Sequence, residues 1–222
     1  STTIEVLEGL RYRSAGSVKV LGEDPLSPSK SWKSRVGIVS QSTGDLGPYT
    51  SRELISHFSK LYPNPRAVEE TLELVGLEEQ ANIRASKMSG GQKRRLDVAL
   101  GIIGRPALLF LDEPTTGFDP EARRQFWSML EGLTDEGTAI LLTTHYLDEA
   151  AHLADRVGVL TGGKIVAEAP PSLLGGVESR TPIVSWRNAD GVLQSERTNQ
   201  PGAFVEKLSA EAVKQGMPNG EP

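Results

Sequence analysis

The sequence predicts an α/β domain built on a mainly parallel sheet, and three observations predict it. Short apolar runs of strand type alternate with segments of helical period along most of the chain. One run, Ala107-Leu-Leu-Phe-Leu111, is apolar without interruption, the pattern of a parallel strand covered on both faces. After Pro170-Pro171 the alternation gives way to a smaller α+β pattern. The 222 residues, 37% hydrophobic and 24% charged, suffice for a full core in one large domain with an appendage.

Taken in order, residues 4–10 read as a helix with Ile4 and Leu7 on one side. Gly16 opens an alternating strand, Ser17-Val-Lys-Val-Leu21, and Gly22 to Ser31, with Pro25, Pro28 and several serines, reads as loop. Val36-Gly-Ile-Val39 is a buried-type strand running into Gln41, and a polar loop extends from Ser42 to Tyr49. Thr50-Ser-Arg-Glu53 has capping-box spacing and starts a helix with Leu54, Ile55, Phe58 and Leu61 on its apolar face. Pro63 and Pro65 end it, and a further helix covers 66–75 before Gly76. Ser89-Gly-Gly-Gln92 opens a helix whose stripe is Leu96, Ala99, Leu100 and Ile103, stopped at Gly104-Arg-Pro106. Beyond the apolar strand, Asp119-Pro120 gives cap and first-turn proline to a helix burying Phe126, Met129, Leu130 and Leu133. Ala139-Ile-Leu-Leu142 is the next buried strand, ending at Thr143-Thr-His145, and Tyr146 to Ala154 is helical. Val157–Leu160 and Lys164–Ala167 flank Thr161-Gly-Gly163 as a β-hairpin. In the appendage, Ile183–Trp186 and Val192-Leu193 flank a turn at Asn188-Ala-Asp-Gly191, and 202–214 reads as helix; Gly216 to Pro222 reads as disordered or cut short.

Bulk properties narrow the function. A net charge of −5 gives no electrostatic reason for a nucleic-acid partner or for adhesion to anionic lipid. The absence of cysteine excludes disulfides and thiolate-bound zinc, and is compatible with a reducing cytoplasm. The central apolar run falls far short of the roughly 20 residues a membrane helix needs, so membrane work would fall to a partner chain. His145 and His152 lack the metal-binding HExxH spacing, and His57 reads as a surface residue.

Several sites carry chemistry. Asp112-Glu113 ends the apolar strand and so lies at the C-terminal edge of a parallel sheet, where open α/β sheets bind ligands. In hydrolases of nucleotides an Asp there holds magnesium, and an adjacent carboxylate can polarise a water. Many enzymes also run a buried strand into an acidic loop. Ser89-Gly90-Gly91-Gln92 opens a helix, and a helix N-terminus offers free N–H groups and a positive dipole end to an anion. Two glycines let a phosphate come close to the backbone. By average residue usage such a string arises at about one position in 100,000, so it stands as a signal on its own. Read singly, Gln41 is a loop residue, His145 a histidine at the core edge and Asp119 a helix cap.

Their order is more specific. Gln41, Ser89-Gly-Gly-Gln92, Asp112-Glu113, Asp119 and His145 together resemble the ATPase domain of ABC transporters, with its Q-loop, LSGGQ sequence, Walker B acids, D-loop and switch histidine. Met88 stands where the family has Leu. The resemblance covers residues 1–170. Asp112-Glu-Pro-Thr-Thr-Gly-Phe-Asp-Pro120 and Thr143-Thr-His-Tyr-Leu-Asp-Glu-Ala150 are most similar to the drug-exporting ABC-2 branch of daunorubicin-resistance type, and the segment after 171 resembles that branch's C-terminal extension. The resemblance implies a P-loop NTPase-type sheet, a helical subdomain over roughly residues 45–104 carrying the SGGQ motif, and an accessory extension over 171–222.

It also implies roles. ATP and Mg2+ would be the cofactors, with Ser1, Gln41 and Asp112 at the metal and Thr2 at the α-phosphate. Glu113 would be the general base and His145 would position the γ-phosphate. Ser89, Gly90, Gly91 and Gln92 would serve the ATP of a second ATPase domain in a head-to-tail dimer, and Asp119 would link the two sites. A membrane-spanning permease subunit would dock near Gln41 and the loop from Leu46 to Arg52, holding the chain at the cytoplasmic face of the membrane. The phosphate-binding loop G-x-x-x-x-G-K-[ST] does not occur; Ser1-Thr2-Thr3-Ile4 matches the residues that come after the Gly-Lys of that loop, which implies a sequence truncated within the motif and weak ATP binding at this chain's own half-site. Two other classes fit less well. DNA-repair members of the family carry a long coiled coil before the SGGQ motif, and translation-type members usually carry two such domains; a non-hydrolysing half-site partner would not need Glu113 and His145. The transported substrate, export against import, and homodimer against heterodimer are not encoded in these motifs.

Overall fold

A computed structural model describes residues 2–40, 46–174, 182–187 and 192–214. The chain forms two compact units, Ser1–Glu149 and Ala150–Pro222.

The first unit is organised by a parallel sheet of β1 (Val36–Val39), β2 (Leu108–Asp112) and β3 (Ala139–Thr143), in that spatial order. Leu109, Phe110 and Leu111 of the central strand are wholly buried, as an uninterrupted apolar run requires. Register places Val36 and Ala139 on either side of Leu108, and Asp112 opposite Thr143. All three strands therefore run out at one edge, at Ser40, Asp112-Glu113 and Thr144-His145. The third strand differs from expectation: Ala139 is exposed and its remaining residues are half-buried.

Helix α1 (Thr2–Leu7) seats Ile4 in a cluster with Val20, Trp32, Val36 and Phe110. The predicted strand Ser17–Leu21 is not formed. Val20 and Glu23 instead pair across a tight turn in which Leu21 and Gly22 take φ of 48° and 87°, the conformation of a two-residue hairpin turn. Alternation in the sequence continued into residues that the turn claims. The predicted loop to Ser31 also ends early. Ser29 accepts a hydrogen bond from the Trp32 amide and starts α2 (Lys30–Arg35), and Glu23 accepts from the Ser29 amide and hydroxyl.

Between β1 and β2 lies the helical portion: α3 (Ser51–Ser59), α4 (Val68–Leu74), a 3-10 turn at Ala85–Lys87 and α5 (Gly90–Ile102). Thr50 and Glu53 close the expected capping box. Leu61, assigned from its spacing to the apolar face of α3, lies beyond the helix and is exposed, while Ile55, Leu72, Leu77 and Leu96 fill the centre. The second half of α5 is more deeply enclosed than its stripe suggested, with Val98 and Ile102 buried and Leu100 only partly so. Its contact with β1 depends on glycine: a Cβ on Gly37 would lie 2.3 Å from the Gly101 carbonyl oxygen. Buried Arg66 joins α4 to the end of α6 (Pro120–Asp135) through Glu70 and Glu136. In α6, Phe126, Leu130 and Leu133 are buried as expected, Met129 only partly, and Trp127 is an unexpected fourth buried residue. Helix α7 (Leu147–Leu153) comes after β3.

The second unit contains the expected hairpin, β4 (Val157–Thr161) antiparallel to β5 (Lys164–Ala169), turning at Gly162 and Gly163 with φ of 57° and 77°. A second pair, β6 (Ile183–Arg187) and β7 (Leu193–Arg197), matches Ser185 to Ser195. Phe204 of α8 (Pro201–Lys214) meets Trp186 edge to face at 5.5 Å. The predicted turn at 188–191 and the tail 216–222 lie outside the described residues.

Candidate functional site

The sheet edge brings three of the sequence-selected residues together. Asp112 ends β2, and its carboxylate accepts a hydrogen bond from the Thr143 hydroxyl on the neighbouring strand. The Glu113 amide donates to the Thr143 carbonyl at 3.1 Å and its hydroxyl at 3.2 Å. His145 Nδ1 stands 3.5 Å from Glu113 Oε2, and the two side chains are 55% and 33% exposed. Both can therefore meet a ligand from solvent while facing each other. Thr116 Oγ1 approaches the same Oε2 at 3.4 Å. The His145 ring lies against Tyr146 with centroids 4.1 Å apart, and the Arg123 guanidinium sits 4.2 Å over the Tyr146 ring, which limits where the imidazole can turn.

Glu113 has a φ of 44°. A left-handed residue with a Cβ is strained by about 1–2 kcal/mol, and such strain clusters at functional sites.

The Ser89–Gln92 segment forms a reciprocal cap. The Gln92 amide donates to Ser89 Oγ at 3.3 Å and the Ser89 amide donates to Gln92 Oε1 at 3.0 Å. The capping reading of the motif therefore holds. Among the described residues, a side chain on Gly90 or Gly91 would meet nothing within 4 Å, so their packing makes no demand for glycine there. Ser89, Gly91 and Gln92 line a groove of 650 Å³ with Arg95, Phe118 and Ala122. The groove joins the SGGQ segment to the start of α6. There Asp119 caps the helix, accepting from the Glu121 amide at 3.0 Å and the Ala122 amide at 2.9 Å. The Ala122 bond, then the Glu121 bond, hold its carboxyl below the usual aspartate range. Thr2 opens α1 and is exposed, while Ser1 and Gln41 lie outside the described residues.

Three residues that sequence reasoning passed over belong to this edge. Arg94, 6% exposed, donates from Nε to the Pro114 carbonyl at 3.2 Å, from Nη2 to the Asp112 carbonyl at 2.9 Å and from Nη1 to the Ser40 carbonyl. Burial pulls its guanidinium below its ordinary value, opposed by the Asp97 and Asp112 carboxylates, and it stays cationic. Nothing in Lys93-Arg94-Arg95 distinguishes the inward arginine except its place relative to the buried stripe. Glu149 is wholly buried and accepts from Thr115 Oγ1 at 2.9 Å and Trp127 Nε1 at 3.0 Å, tying α7 to the loop after Glu113. Glu8 is buried at 6% exposure, and burial, then the Asp112 charge, push its carboxyl up. A glutamate at a helical position reads as solvent-facing, so neither was legible.

The chain is similar to known proteins in sequence and in fold. The family model described as "ABC transporter" matches residues 1–116. A Nod factor export ATP-binding protein I of Burkholderia pseudomallei is 35% identical over 227 residues, covering 100% of this chain and 74% of that protein. A protein of that name from Neorhizobium galegae is 42% identical over 77% of this chain and 51% of its own length. The daunorubicin/doxorubicin resistance ATP-binding protein of Streptomyces peucetius is 40% identical over 76% and 52%. The chain thus spans about half the length of the latter two. Among solved structures, an ATP-binding subunit of an ABC transporter matches with a TM-score of 0.67 at 22% identity, covering 76% of this chain and 72% of the other. A dimeric ATP-binding cassette in a post-hydrolysis state with ADP and Pi matches at 0.66 and 20%, covering 77% and 79%. With the family model matching residues 1–116 and a relative 35% identical across the whole of this chain, this chain belongs to the ABC transporter ATP-binding family.

Proposed function

We propose that the chain is the ATP-binding and ATP-hydrolysing subunit of an exporter, working through a separate membrane-spanning subunit. The observation that carries this reading is the meeting of Asp112, Glu113 and His145 at the C-terminal edge of the sheet, with His145 and Glu113 3.5 Å apart. Glu113 takes a proton from the water that attacks the γ-phosphorus of ATP; the new P–O bond forms as the bond to the β-phosphate oxygen breaks, and ADP leaves. His145 holds the γ-phosphate by a hydrogen bond.

The donor set suits magnesium. A hard cation of this size takes one or two carboxylates and leaves its other positions to phosphate and water. Asp112 offers one partly exposed carboxylate, oriented by Thr143. Ser1 and Gln41 would add a hydroxyl and an amide oxygen, and Thr2 would meet the α-phosphate. Bound there, Mg2+ neutralises charge on the transferring phosphoryl group.

The open space at Gly90 and Gly91 supports a ligand that arrives from outside the chain: the ATP of a second ATPase domain, in a head-to-tail dimer. Ser89 and Gln92 supply polar contacts and Asp119 joins the two sites. Among the described residues no helix is long and apolar enough to cross a membrane. The membrane subunit docks around Gln41 and Leu46–Arg52, which places the chain at the cytoplasmic face. The names of the relatives, one a daunorubicin/doxorubicin resistance protein and others Nod factor export proteins, support export of drugs or other hydrophobic compounds.

The test is Glu113→Gln in the full-length protein with its membrane partner. Turnover is expected to fall by about 10²–10⁴-fold, the range of a lost general base, while ATP binding persists and a dimer accumulates on size exclusion. Unchanged turnover overturns the assignment.

A further inference from the structure

Glu113 is held in a conformation that its own sequence opposes. Its φ of 44° is left-handed, and the next residue is Pro114, whose ring pushes a preceding residue toward extended backbone. A residue so placed persists only when its surroundings over-determine it. Its own N–H donates to Thr143 of β3. Its own carbonyl accepts from the Thr116 amide at 3.4 Å, which leaves the carbonyls of the two neighbouring residues, Asp112 and Pro114. One side chain reaches both: Arg94 donates to Asp112 O at 2.9 Å and to Pro114 O at 3.2 Å. Its third bond goes to Ser40 O at the end of β1.

We propose that Arg94 is a positioning residue that fixes Glu113 in its left-handed conformation and so aims the carboxylate at His145. The inference rests on the proposed role of Glu113 as base. The planar guanidinium suits the task because its N–H groups diverge in a fixed fork, and three carbonyls on two segments lie within its reach. A lysine ammonium could not satisfy all three in that geometry, and a glutamine could satisfy at most two. Being 6% exposed, Arg94 touches no ligand; it acts through the backbone. It stands on α5 a short way past the SGGQ segment, so the same helix that faces a second subunit's nucleotide also grips the peptide bearing this chain's base.

The experiment uses the full-length protein with its membrane partner and compares wild type, Arg94→Lys, Arg94→Gln, Glu113→Gln and the Arg94→Gln/Glu113→Gln pair. The expected result for Arg94→Gln is a kcat lower by roughly 10–100-fold, the scale of an ångström-level misplacement, with KM for ATP within about twofold. Lys falls between Gln and wild type, and serves as the test if Gln does not fold. In the Glu113→Gln background, loss of Arg94 lowers the residual rate no further, because the group it positions is gone. Independently of turnover, hydrogen exchange at the Glu113 amide quickens by about tenfold or more in nucleotide-free Arg94→Gln, while ATP affinity by calorimetry is unchanged. The proposal is overturned if kcat is kept, if KM and melting temperature move while kcat does not, if the losses multiply in the paired variant, or if exchange at Glu113 is unaltered. A Glu113→Gln variant that turns over at the wild-type rate would overturn the base assignment instead, a result distinct from active Arg94 variants.

Discussion

At the start of α6, the Asp119 carboxylate accepts hydrogen bonds from two backbone amides that the helix itself cannot satisfy. Those bonds favour the charged form and depress its pKa. The stabilisation is therefore present above the ordinary aspartate range and is lost as pH falls through the depressed value. Asp119→Ala should lower the melting temperature at neutral pH, with the gap closing in acid, whereas Asp119→Asn, also a good cap, should keep most of the neutral-pH stability. Circular dichroism melts across pH check this; a gap of constant size would exclude the charge-dependent part. Asp119 was legible because an Asp-Pro pair before a helical period has a mechanism. Arg94 and Glu149 were not, since burial of a charged side chain depends on which carbonyls or hydroxyls the tertiary structure brings to it.

Among the elements, the crossing of α5 and β1 shows what a residue pattern leaves out. Gly37 and Gly101 meet there with no room for a methyl group, since a Cβ on Gly101 would also lie 2.8 Å from Val39 Cγ2. Gly37→Ala should cost about 1–3 kcal/mol by overpacking. Gly132→Ala, in the last turn of α6 with nothing within 4 Å, should gain up to about 0.5–1 kcal/mol from helix propensity. Urea titrations of the two variants give the comparison, and a harmless Gly37→Ala would mean the helix can lift away from the strand. Strands β1 and β2 and helices α3, α5 and α6 were legible because long periodic or wholly apolar runs and capping residues coincide. The segment from Ser17 to Arg35 was misread because its structure rests on one turn at Leu21-Gly22 and one cap at Ser29, and both are too local to leave a period.

At the scale of the whole molecule, the two units differ in how their backbone bonds are protected. In the first, Leu109–Leu111, Leu96 and Phe126 have essentially no exposure. In the second, both sheets are two-stranded, and the side chains of β4, β5 and β7 are largely exposed. Isolated two-stranded ladders are marginal in water, so native-state hydrogen exchange of this chain should be slowest in β2 and α5 and faster by orders of magnitude in β4 to β7. Equal protection throughout would contradict that ranking. Alternation of elements made the first unit's architecture legible in advance; the division between Glu149 and Ala150 comes from which contacts are made, and no composition change marks it.

The emptiness around Gly90 and Gly91 has a consequence for how this chain can vary. Glycine early in a helix costs backbone entropy, and here none of the described residues repays it by close packing. A stable fold alone calls for neither glycine, whereas the nucleotide of a second domain, in the proposed dimer, would call for both. On the proposed dimer, two pressures would act on one helix end in opposite directions, and a stabilising replacement there would spread only in a lineage that no longer used the surface.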